Sequence, residues 1–278
     1  MNNADQAKTF AANRATGHIA LSVSVHDGVT RRTRVHEDGS LRVRFPNATP
    51  EALEAVLVNT GGGMTGGDRC SIEMDVGAGA SLIAGTAAAE KIYRSSGADA
   101  AMDVRLTLAP SARLAWLPQE TILFDRARLK RRIDIDLAEG AALIMAEAVI
   151  FGRAAMDEAM KEGFFTDAWR IRRDGKLIYA DTARLDGAIA AKMAERAVAN
   201  GGIAIATVLI APGGDAALEQ VRALGETLEG GFLGEVGISA WNGLAVARLC
   251  AKDGATLRRD LIAVLAALGT PVPRLWLQ

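Results

Sequence analysis

The sequence predicts a mainly β fold, with strands stacked in a β-helix-like or layered arrangement and two α-helices in the C-terminal third. Three observations carry this. Short blocks of alternating apolar and polar residues recur along most of the chain, a strand–turn–strand unit repeats at a spacing of roughly thirty residues, and apolar residues switch to clear helical spacing only near the end. Half of the 278 residues are hydrophobic but only 5% are aromatic, so the core must be built from Ala, Val, Leu and Ile in thin layers.

From the N-terminal side, Ile19 to Phe45 alternates in blocks broken at Asp27-Gly28 and Asp38-Gly39, turn dipeptides that predict the start of a β-meander. Ala55 to Asn59 reads as a further strand. It runs into the stretch Gly61-Gly62-Gly63-Met64-Thr65-Gly66-Gly67-Asp68. The repeat comes next: Ile72 to Ala84, Val104 to Trp116 and Ile133 to Met145 each join two strands through a small-residue turn. The turns are Gly77-Ala78-Gly79-Ala80, Ala109-Pro110-Ser111-Ala112 and Ala138-Glu139-Gly140-Ala141. They are preceded by Val76, Leu108 and Leu137 and followed by Leu82, Leu114 and Leu143. A unit that cannot bury both faces alone stacks on its neighbours, which predicts layered hairpins or a coil of strands; chance likeness among short hairpins is the competing explanation.

Strands are expected at Ala168 to Arg173 and Leu177 to Leu185, joined by Asp174-Gly175, and at Ile203 to Ile210. Ala188 to Ala199 lies between a short helix and a loop. Ala216 to Leu228 carries Leu218, Val221, Leu224 and Leu228 on one helical face, with Asp215 as the expected cap. After strands at Glu235 to Ser239 and Leu244 to Cys250, a second helix presents Leu257, Leu261, Val264, Leu265 and Leu268. Thr256 or Asp253 caps it and Gly269 stops it. No low-complexity linker divides the chain, so one domain over residues 1–278 is expected.

A net charge of −1 lacks the basic excess that releases phosphate counterions, which argues against nucleic acid as a partner. Met1 to Ala20 lacks the apolar core of a signal peptide, and the apolar runs Ala141 to Phe151 and Ile203 to Ala211 fall short of the roughly 20 residues a spanning helix needs. The two cysteines, Cys70 and Cys250, have no metal-type spacing. A cytoplasmic protein without membrane contact is expected.

Gly61, Gly63 and Gly66 satisfy the G-x-G-x-x-G spacing, but a dinucleotide loop must open a helix, and Cys70 to Val76 alternates like a strand. No G-K-[ST] follows, and a tight glycine turn needing positive φ explains the run better. His18, His26 and His36 lie in the first strands away from any carboxylate or Cys at ligand spacing, and read as surface histidines. No G-x-S-x-G elbow or activated Cys is present, so no catalytic residue is assigned.

Acids inside apolar strands are more informative, because an enclosed carboxylate must be paired, hydrated or protonated. Glu147 interrupts Ala141 to Phe151 and shares its side of the strand with Leu143, Met145 and Val149, while the opposite side is equally apolar. Asp181 follows Leu177-Ile178-Tyr179-Ala180, and Glu120 sits between two strand patterns. Each could simply pair with an arginine such as Arg153, Arg184 or Arg132. Alternatively, they line a hydrated path that binds a hard or borderline divalent ion weakly.

The run Leu57-Val58-Asn59-Thr60-Gly61-Gly62-Gly63-Met64-Thr65-Gly66-Gly67-Asp68-Arg69 resembles the glycine loop of the urease accessory protein UreD (UreH) family. Lys91-Ile92-Tyr93-Arg94-Ser95 resembles its K-x-Y-R-S block, and Leu117-Pro118-Gln119-Glu120-Thr121-Ile122 its L-P-Q-E-T-I block. Phe151-Gly152-Arg153-Ala154 and Pro273-Arg274-Leu275-Trp276 match its x-G-R-x and closing P-R-[IL]-W segments. Ala87 to Glu90 departs from the usual P-G-A-[ST] lead into the lysine, which leaves the shape of that loop open. The resemblance implies a non-catalytic scaffold that binds apo-urease and, with UreF and the GTPase UreG, assists nickel insertion, with an internal water-filled passage for the ion. It implies that Asp68, Glu147 and Asp181 are weak relay ligands for transient Ni2+, with Glu120 a further candidate, and that no cofactor is held tightly. Scarcity of soft ligands suits transit rather than storage. A β-helical lyase or hydrolase using Asp68, Glu120 and Glu147 as acid/base groups is the alternative; it requires those three acids to converge in an open cleft.

Overall fold

The computed structural model describes residues 14–46, 51–153, 156–270 and 272–277, and all statements below concern those residues. The chain opens with the hairpin β1 (Thr16–His26) and β2 (Val29–Gly39), then a second antiparallel pair, β3 (Leu41–Arg44) and β4 (Leu53–Asn59). Three coils follow. The first is β5 (Arg69–Val76), β6 (Ser81–Thr86) and β7 (Glu90–Ile92); the second is β8 (Ala100–Leu108), β9 (Arg113–Leu117) and β10 (Thr121–Leu123). The third is β11 (Arg128–Leu137), the long β12 (Ala142–Arg153) and the short β13 (Glu158–Ala159). The hairpin β14 (Gly163–Arg173) and β15 (Lys176–Gly187) ends this half. Helix α1 (Ile189–Ala194), β16 (Ala204–Ala211), α2 (Asp215–Thr227), β17 (Glu235–Trp241), β18 (Leu244–Ala251) and α3 (Gly254–Ala267) complete the order, before a 3-10 turn at Arg274–Leu277.

The repeated unit is a corner between two sheets rather than a hairpin within one. Its first strands lie parallel in a seven-stranded sheet of order β15-β14-β11-β8-β5-β1-β2. Its second strands lie parallel in an eleven-stranded sheet whose main path is β17-β18-β16-β12-β9-β6-β4-β3. Val76, Leu108 and Leu137 are direct neighbours across the first ladder, and Leu82, Leu114 and Leu143 across the second. The corners stack too: the amide of Gly79 donates to Pro110 O at 3.1 Å, and that of Ser111 to Glu139 O at 3.1 Å. The third turn residue has positive φ in all three, +67° at Gly79, +59° at Ser111 and +68° at Gly140, a conformation in which glycine carries no Cβ penalty. The expected meander therefore holds only for β1 and β2, because β3 crosses to the other sheet.

One face of the eleven-stranded sheet packs on the seven-stranded sheet, through residues such as Ile19, Ile72, Leu106 and Ile135 against Leu57, Leu82, Leu114 and Met145. Its other face, including Ala146, Ala148, Ala206 and Leu249, is covered by α2, α3 and Trp276. This sheet is buried on both sides, which is why β12 and β16 are almost continuously apolar. Asp253 caps α3, accepting from the Thr256 amide at 2.7 Å. Asp215 does not cap α2; Gly214 occupies that position without a side-chain hydrogen bond, and Asp215 lies in the first turn. No helix among the described residues is long and apolar enough to cross a membrane.

Candidate functional site

Between the two sheets the phase of each strand decides what points inward. On β12, Leu143, Met145, Glu147, Val149 and Phe151 face the seven-stranded sheet, and Glu147 is 5% exposed. On β11 the inward phase of Leu129, Ile133 and Ile135 includes Arg131, and on β14 that of Phe165, Trp169 and Ile171 includes Asp167. Arg131 and Asp167 are opposite each other in the parallel ladder. The Arg131 guanidinium donates to Asp167 in a fork, Nε to Oδ1 at 2.9 Å and Nη2 to Oδ2 at 2.6 Å. Its Nη1 donates to Oε2 of Glu147. The indole N–H of Trp116 donates to Oε1 of the same carboxylate at 2.7 Å.

Two enclosed acids thus share one enclosed cation. Burial raises the Glu147 pKa; Arg131 opposes this and Asp167 adds to it, leaving a net upward shift. Burial disfavours the charge on Arg131, but Asp167 and then Glu147 outweigh it and raise its pKa.

Two cavities meet at this group. One, of about 50 Å³, is lined by Arg131, Glu147, Asp167, Asp181 and Thr207 among others. The second, of about 150 Å³, extends from Arg131, Glu147 and Trp116 past Cys70 and Met102 to Glu90 and Gly63 of the glycine loop. Their walls are mixed, with apolar surface predominating around a few polar groups, and both exceed the roughly 10–15 Å³ that one water needs. Glu90 accepts from Asn59 Nδ2 at 3.0 Å, yet burial outweighs this bond and lifts its pKa to about 7. Burial, reinforced by Glu90, pushes the Cys70 thiol up to about 12, so it is neutral in the metal-free protein.

The four acids selected from sequence go to different places. Glu147 is enclosed as expected and touches both cavities. Asp181 lines the smaller cavity at its outer end, but its side chain is 40% exposed because β15 is a sheet edge. Burial acts to raise its pKa, but Arg248 Nη2 at 2.8 Å, the Tyr179 hydroxyl and the Thr182 amide pull it below the usual range. Asp68 is 5% exposed and closes the glycine loop, accepting from the amides of Thr65 at 2.8 Å and Ala15 at 2.9 Å. Glu120 faces the helix layer, where Arg258 of α3 grips it through Nε at 2.8 Å and Nη2 at 2.6 Å. Asp68, Glu120 and Glu147 do not converge in a cleft, which removes the geometry the lyase or hydrolase reading required.

Arg153, Arg184 and Arg132, considered as partners, pair instead with Glu158, Asp186 and Asp134. The partners are Arg131 for Glu147, Arg248 for Asp181 and Arg258 for Glu120, and none of them, nor the further enclosed acid Asp167, is among the sequence expectations. The signal was present for two of them, since Arg131 and Asp167 fall in the apolar phase of their strands as Glu147 does. The glycine loop needs its glycines: a Cβ on Gly63 would sit 2.6 Å from Lys91 O, and one on Gly66 2.3 Å from Ala98 O.

The sequence matches the family model described as UreD urease accessory protein over residues 15–277. It is 58% identical over 276 residues to the urease accessory protein UreD of Rhodopseudomonas palustris (strain HaA2), covering 99% of this chain and 98% of that protein. Against UreD of the BisA53 strain it is 56% identical over 268 residues, covering 96% and 92%. Against UreD 3 of Bradyrhizobium sp. (strain BTAi1) it is 54% identical over 272 residues, covering 98% and 96%. With a match running from the first described strand to the closing Trp276 turn, the chain belongs to the UreD family of urease accessory proteins.

Proposed function

We propose that this chain is a non-catalytic maturation factor that binds apo-urease in the cytoplasm together with UreF and UreG, and that Ni2+ crosses its interior between the two sheets. The observation that carries the reading is the pair of cavities that abut at the buried Arg131 and Glu147, one running toward the glycine loop and the other toward Asp181. Nickel is cargo here, handled by carboxylates and water that release it readily. Glu147 and Asp181 are the relay ligands, with Glu90 at the far end of the larger cavity. Asp68 and Glu120 serve the path indirectly, by shaping the glycine loop and by tying the helix layer to the segment before β10.

The test is co-expression with urease and the other accessory proteins, followed by measurement of urease nickel content. Glu147→Gln and Asp181→Asn keep side-chain size and should leave complex assembly intact while lowering nickel content several-fold. Normal nickel content in both variants would refute the passage.

A further inference from the structure

The wall between the two cavities is a cation supplied by the chain itself. Arg131 is 3% exposed and lines both cavities, as does Glu147. Its three donor nitrogens are divided unequally: Nε and Nη2 hold both oxygens of Asp167, while only Nη1 reaches Glu147, with Thr121 Oγ1 a further 3.4 Å away. Glu147 in turn keeps Oε1 on Trp116 and offers Oε2 to the guanidinium alone. The single contact to Glu147 is therefore the one that opens first, and the fork to Asp167 must open as well before the guanidinium can leave.

Charge decides what opens it. Two ionised carboxylates against one guanidinium leave one negative charge without a match, and the Trp116 N–H can only soften that deficit. A monovalent ion would replace one positive charge by another and lose the fork geometry. A divalent ion bridging Glu147 and Asp167 would neutralise both, with oxygen ligands from opposite sheets and water completing its shell. The larger cavity leaves space for the displaced guanidinium.

We propose that Arg131 holds a divalent-cation site closed: its guanidinium stands where a divalent cation would bind between Glu147 and Asp167, two acids whose charge such a cation matches and a monovalent ion does not. The inference rests on the passage reading above, yet it makes a claim about metal binding by this chain alone.

The experiment uses the full-length chain and Ni2+. Arg131→Met frees both acids, and equilibrium dialysis should show one Ni2+ per chain beyond wild type, retained in excess K+, with a thermal midpoint that rises on adding Ni2+. Arg131→Met/Glu147→Gln should lose both effects. If Arg131→Met is insoluble without metal, Ni2+ during refolding should restore soluble protein. The proposal is overturned if Arg131→Met binds no more Ni2+ than wild type, if K+ displaces the ion, or if Ni2+ neither stabilises nor rescues the variant. The two ideas fail separately: normal urease loading by Glu147→Gln and Asp181→Asn ends the passage, whereas absent Ni2+ binding by Arg131→Met ends only the role of Arg131.

Discussion

Glu90 sits in the larger cavity, where the Asn59 side-chain amide, the Lys91 backbone amide and the Lys91 charge favour its ionised form but burial outweighs them. Its pKa rises from an ordinary value of 4.5 to about 7, which ties the protein's stability to pH with a definite sign. The protonated form is the one the fold favours. The contribution is therefore fully present below about pH 4.5 and is lost as pH climbs through about 7. Urea midpoints measured from pH 5 to pH 8 should fall less for Glu90→Gln than for wild type; parallel curves would show that Glu90 does not titrate in this window. At this scale the sequence was half legible. An acid inside an apolar run marks Glu147 without ambiguity, because both faces of β12 are buried. The same test overstates the enclosure of Asp181, since a sheet edge lets one face of a strand meet water, and strand order is not written in local alternation. A basic residue in the apolar phase, such as Arg131, carries the same signal of an enclosed charge as an acid there.

Each corner of the coil is a short element whose conformation recurs, and the recurrence is what the sequence repeat records. Val76, Leu108 and Leu137 echo one another because they occupy one ladder, and the small residues at Ala80, Ala112 and Ala141 are buried where the chain swings between sheets. Gly140→Ala puts a Cβ on a residue at φ +68°, and should lower stability by about 1–2 kcal/mol in denaturant titration. Ser111 adopts the same conformation at +59°, so Ser111→Gly should be tolerated; a loss as large as that of Gly140→Ala would mean the corners are not equivalent. The helices were legible because leucines on one face need a partner surface, and the second face of the eleven-stranded sheet supplies it. Which sheet a strand joins was not legible. Corner and hairpin have the same small, glycine-bearing turn, and only the neighbouring copies distinguish them.

For the molecule as a whole, the layers divide the labour. The seven-stranded sheet and the eleven-stranded sheet enclose the two cavities that meet at Arg131 and Glu147, while the helices and Trp276 stiffen the outer side through the Arg258 grip on Glu120 and the Trp276 N–H bond to Leu117 O at 3.2 Å. The outer end of the smaller cavity lies beside Tyr179, which packs between Trp169 and the partly exposed Trp241 at ring separations of 6.4 and 6.1 Å. A stack of parallel strands has no intrinsic stopping point, since each rung leaves backbone groups ready for the next. Here the rungs end in reversed strands, β2 on one side and β15 on the other, and β2 turns Arg31, Arg32 and Arg34 toward solvent. Replacing those three arginines by threonine should promote concentration-dependent self-association, visible by sedimentation velocity. Reversal and like charge together act as a terminator on a stack of strands that could otherwise grow end to end.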